Sequence, residues 1–72
     1  MTLTNLERCA IIRTTRIEKR IPLKEIAQLI SLSVSAYSRL EKGETQMSIE
    51  RLLKIAKYLE IPLAILGLND TE

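Results

Sequence analysis

The stretch Ile21-Pro22-Leu23-Lys24-Glu25-Ile26-Ala27-Gln28-Leu29-Ile30-Ser31-Leu32-Ser33-Val34-Ser35-Ala36-Tyr37-Ser38-Arg39-Leu40-Glu41-Lys42-Gly43 decides the fold. Pro22 disfavours a helical Ile21, yet its fixed φ suits the first turn of a new helix, where Glu25 faces the positive end of the dipole. Ile26, Ala27, Leu29 and Ile30 then recur at helical spacing. Ser31-Leu32-Ser33 supplies a polar break, and Ser33 is a good N-cap for a second helix running to about Lys42. Tyr37 and Leu40, with Leu32 before the cap, form its apolar side. Lys42 in its last turn and Gly43 just beyond suit a helix C-terminus. A connection of only about three residues forces the two helices to cross steeply, and Ala27 allows the close approach that such a crossing needs.

Working outward, Thr4-Asn5-Leu6-Glu7 has the form of a capping box, which starts a helix that can run to about Lys19 or Arg20. Leu6, Cys9, Ala10, Ile12, Arg16 and Ile17 are expected roughly on one side of it, with Ile11 on the other. Downstream, Glu44-Thr45-Gln46-Met47 reads as a polar loop. Ser48 caps a further helix with Glu50 in its first turn, and Ile49, Leu52, Leu53, Ile55, Ala56 and Leu59 form a broad apolar stripe. Ile61-Pro62 ends that helix, Leu63 to Leu66 adds one more helical turn, and Gly67 closes it. Residues 68–72 read as a frayed tail. Ile-Pro-Leu occurs at 21–23 and again at 61–63, as local punctuation rather than a repeat. The expectation is one all-α domain over 1–72, with five helices and no strand.

Composition narrows the functions available. Hydrophobic residues make up 46% of the 72 and charged residues 28%, which is a globular balance. Tyr37 and Tyr58 are the only aromatics, so the core must be aliphatic. The net charge of +2 permits nucleic-acid binding without demanding it. The absence of histidine excludes histidine acid–base chemistry and mixed Cys/His zinc sites. Cys9 is the single cysteine, which rules out an internal disulfide, and it reads as a small buried filler. The eight glutamates and one aspartate fall mostly on exposed helical faces, so no enzyme, metal or cofactor is expected. No apolar run approaches the roughly 20 residues of a membrane span and no secretory leader opens the chain, so the cytoplasm is the expected compartment.

Opposite Tyr37 and Leu40, the helix after Ser33 presents Val34, Ser35, Ser38 and Arg39. Short side chains near its start would let the backbone approach a groove. Arg39 has the planar fork that reads guanine O6 and N7. Helix N-terminal amides, with the Ser33 and Ser35 hydroxyls, can meet phosphates. On spacing alone, ordinary solvated residues on a small bundle fit equally well.

Residues from about 12 to 66 resemble the lambda-repressor-like helix-turn-helix family, of the Cro/CI and xenobiotic-response-element type. The matching words are Lys24-Glu25-Ile26-Ala27, Leu32-Ser33, Tyr37-Ser38-Arg39-Leu40-Glu41-Lys42-Gly43-Glu44, and Ser48-Ile49-Glu50-Arg51-Leu52-Leu53-Lys54-Ile55-Ala56-Lys57. Ile61-Pro62-Leu63, with Leu66, matches the family's last short helix. The resemblance implies a transcriptional regulator of repressor type. Its third helix would lie in the DNA major groove, as a homodimer on a partly palindromic operator. By matching position, Val34, Ser35, Ser38 and Arg39 would face bases. Lys24, Lys42, Thr45 and Gln46 would lie near phosphates, beside the Ser33 hydroxyl already placed there by the helix N-terminus. Arg16 and Glu41 would form a structural ion pair between the first and third helices.

The chain departs from the family pattern at three places. Leu23 stands where a phosphate-contacting Gln is common and is expected to be exposed. Ser31 stands where a turn Gly is common, and Val34 where the recognition helix often opens with a polar base reader. An apolar Val34 can still pack on a thymine methyl. Leu23, Val34 and the slight net charge favour an alternative function on the same fold: an antitoxin-like or anti-repressor-type module that binds a partner protein.

Overall fold

The computed structural model describes residues 3–68. Four α-helices follow in order: α1 (Asn5–Glu18), α2 (Leu23–Leu29), α3 (Val34–Glu41) and α4 (Ile49–Leu59). The expected fifth helix is a single 3₁₀ turn, Leu63–Leu66, and no strand occurs among the described residues.

The helix starts follow from local chemistry. Thr4 Oγ1 accepts from the Glu7 amide at 3.1 Å, and Glu7 Oε1 accepts from the Thr4 amide at 2.8 Å, closing the capping box. Ser33 Oγ accepts from the Ala36 amide at 3.1 Å, and Ser48 Oγ accepts from the Arg51 amide at 3.2 Å. Pro22 opens α2 without a side-chain cap. Three turns bend through left-handed residues other than glycine: Arg20 (φ 58°), Ser31 (φ 60°) and Glu60 (φ 60°). Ser31 therefore adopts the conformation for which glycine is favoured.

The core gathers residues from every helix. Cys9, Ile12, Ile26, Ala27, Tyr37, Leu52, Ile55, Ala56, Leu59 and Leu66 are all buried. The core face of α1 is narrower than the sequence suggests. Cys9, Ile12 and Arg16 form its buried line, half-buried Ile11 packs against the core, and Leu6, Ala10 and Ile17 face solvent. On α4, Ile49 and Leu53 likewise fall outside the buried stripe. Leu23, expected on the surface, is half-buried against the core, because α2 turns its first residue inward beside Ile26 and Ala27.

Two long-range ties close the domain. Asn5 Nδ2 donates to the Thr45 carbonyl at 3.0 Å while Asn5 Oδ1 accepts from the Met47 amide at 3.1 Å. Met47, in a loop that reads as polar, is thereby buried. At the other end, Arg8 Nε donates to the Leu66 carbonyl at 2.8 Å, and Leu3 lies against Gly67. Leu68 is half-buried against the core and its amide donates to the Leu63 carbonyl at 2.9 Å, so the tail is not frayed at this residue. The remaining tail residues, 69–72, lie outside the described ones.

Candidate nucleic-acid interface

A buried charged network anchors α3. Arg16 Nε and Nη2 donate to Glu41 Oε2 and Oε1 at 2.8 and 2.9 Å, a two-pronged pair between α1 and α3. Arg16 Nη1 donates to the Ile21 carbonyl at 2.8 Å. The Tyr37 hydroxyl, one helical turn before Glu41, donates to Glu41 Oε2 at 2.8 Å. The whole Tyr37 side chain is buried, because the carboxylate that accepts from its hydroxyl is itself internal. Burial, then the Glu41 carboxylate, push the phenol well above its ordinary range, so Tyr37 is a neutral donor. Donating hydrogen bonds to the Glu41 carboxylate raises the already high pKa of Arg16 further.

With Tyr37, Leu40 and Glu41 facing inward, the opposite side of α3 faces out. Val34 is 45% exposed, Ser35 and Arg39 are exposed, and Ser38 is half-buried. Of these four, Ser38 alone is partly covered. Ser33 sits at its head with its Oγ accepting the Ala36 amide, and its hydroxyl proton is free to donate outward.

The residues expected near phosphates distribute around α3 rather than on one patch. Lys24 is exposed in the first turn of α2. Lys42 is exposed at the end of α3 and lines a shallow depression with Leu6, Ala10 and Arg13 on α1. Thr45 and Gln46 are exposed on the loop between α3 and α4, and share a groove with Arg39. Arg51 of α4 lines that groove too. Sequence reasoning passes over Arg51, because its proximity to Arg39 arises only when α3 and α4 fold together. Among the described residues no cluster of Cys, Asp and Glu could hold a metal, and no helix is long and apolar enough to cross a membrane.

A helix-turn-helix family profile matches residues 12–66. Proteins from Methanococcus maripaludis strains C5, C7 and C6, each provisionally named an HTH-type transcriptional regulatory protein, are 35% identical to this chain over 60 residues. The aligned region covers 83% of this chain but 18% of each of those relatives. No solved structure matches the chain. The all-helical architecture and the matched residues together place the chain in the lambda-repressor-like helix-turn-helix family, a family of transcriptional regulators.

Proposed function

We propose that this domain is a sequence-specific DNA-binding transcriptional regulator that lays α3 in the major groove and acts as a homodimer on a palindromic operator. The observation that carries the reading is the exposed outer side of α3, held in place from behind by the Arg16–Glu41 pair. In this reading Arg39 pairs with guanine, Val34 packs on a thymine methyl, and Ser35 and Ser38 reach base edges. Lys24, Ser33, Lys42, Thr45 and Gln46 fix the register through phosphates. The site of action is the cytoplasm, with the DNA. The rival module for a partner protein has less support from Leu23, which is half-buried against the core rather than exposed.

Selection from random duplexes by the purified protein, with its solution mass measured alongside, tests the proposal. The expected result is an enriched palindrome with half-sites about 34 Å apart and a dimeric mass on DNA. The slope of log K against log salt should be on the order of −4 to −7, for roughly 4–8 phosphates neutralised. No retardation of any duplex at micromolar protein and low salt would overturn the reading in favour of the partner-protein module.

A further inference from the structure

α1 turns a second apolar strip away from the core. Leu6 is 62% and Ile17 49% exposed, and Ala10, Arg13 and Thr14 between them are exposed as well. Leu6, Ala10, Arg13 and Ile17 follow one another at the alternating four- and three-residue steps that keep a single seam of a helix turned toward a neighbouring helix. Leu6 to Ile17 spans about 16 Å, roughly three helical turns. The seam is high at its ends and low in its middle. Ala10 and Thr14 border two adjoining depressions, one shared with Lys42 at the end of α3 and the other with Ile11 and Thr15. Large aliphatic side chains at the ends and short ones between them let a second helix lie close.

Charge decides which helix fits. At about 100° per residue, Arg13 stands about 40° from the middle of the strip, whereas Glu7 and Glu18 lie about 80–100° round the other way. Among the described residues, the ion pairs within 4 Å are Arg16–Glu41 and Lys19–Glu60, so Arg13 has no carboxylate partner. A second copy of the chain laid antiparallel on the strip would set Arg13 near its own counterpart, like charge against like. We propose that this strip docks an amphipathic helix of a partner protein, apolar along one side and lined with aspartate or glutamate on the edge that meets Arg13. Arg13 carries the charge preference, because Lys42 is shared with the phosphate contacts assigned above. The strip lies on α1, off the outer side of α3, so the inference does not depend on the DNA-binding reading.

Two synthetic helical peptides, titrated into the full isotope-labelled chain, test this. Both are about four turns long and leucine-lined on one side, and they carry either glutamate or lysine along the flanking edges. The glutamate peptide should shift the amide resonances of Ala10, Thr14 and Ile17 and bind about tenfold more tightly than its lysine twin. Ile17→Ser should weaken the glutamate peptide by about tenfold, and Arg13→Glu should reverse the preference between the twins. Both side chains are exposed, so thermal melts of the two variants should stay close to that of the unmodified chain. Equal binding of the two peptides, binding that survives Ile17→Ser, a preference that Arg13→Glu leaves unchanged, or no shift at millimolar peptide overturns the proposal. Dissociation of a DNA-free dimer by Ile17→Ser overturns it too, since the strip then belongs to a second copy.

Discussion

Arg16 and Glu41 meet through two parallel hydrogen bonds of 2.8 and 2.9 Å across the interior, joining the last turn of α1 to the last turn of α3. Removing one member of such a pair leaves a charge with no counter-ion in a low-dielectric site, which costs about 3–5 kcal/mol. Total stability for a small domain is only about 5–15 kcal/mol. Arg16→Met should therefore come close to unfolding the protein in urea. The double variant Arg16→Met/Glu41→Leu should recover much of the loss, since it removes both charges together.

Tyr37 gives that network an alkaline signature. An unfolded tyrosine ionises near 10.0, whereas the buried phenol keeps its proton to higher pH. Above that value the unfolded chain releases a proton that the folded one holds, so stability present below it declines as pH rises. Tyr37→Phe should make this alkaline decline shallower by about 1.4 kcal/mol per pH unit, as read from urea midpoints between the two proteins.

Ser31 makes the α2–α3 turn at φ 60°, where a Cβ is strained. Ser31→Gly should raise stability by about 0.5–1 kcal/mol, because relief of that strain outweighs the extra freedom of glycine in the unfolded chain. Gly43 is the converse case. It sits at φ 80°, and a Cβ there would lie 2.5 Å from Leu6 Cδ1. Gly43→Ala should cost about 1–2 kcal/mol, chiefly through the backbone, since the exposed Leu6 side chain can swing away. Thermal melts of the two variants should shift in opposite directions.

Arg39→Ala should cost about 1–3 kcal/mol on the selected operator and flatten base preference at one position. An equal loss on every sequence would make Arg39 a backbone contact instead.

Asn5→Ala should free the loop that carries Thr45 and Gln46. It removes an acceptor from the Met47 amide and a donor from the Thr45 carbonyl. The expected cost is about 1–2 kcal/mol, with hydrogen exchange at the Met47 amide accelerated more than at Tyr37.

What could be read from the sequence was mostly local. The capping box at Thr4, the caps at Ser33 and Ser48, and the inward Tyr37–Leu40 side of α3 depend on residues within one or two turns of each other. The Arg16–Glu41 pair spans 25 positions and was legible only through the family resemblance. The burial of Met47 was hidden because its cause, Asn5, lies 42 positions earlier. Arg51 escaped for the same reason, since no helical period links it to Arg39. Leu6, Ile17, Ile49 and Leu53 looked like core because apolar spacing marks a broad arc, while the neighbouring helices cover only part of it.

Leu3 rests on Gly67, and Arg8 holds the carbonyl of Leu66, so the chain enters and leaves the bundle at the same corner. A unit built this way can be spliced into a surface loop of a larger host through a single seam, without stretching either junction.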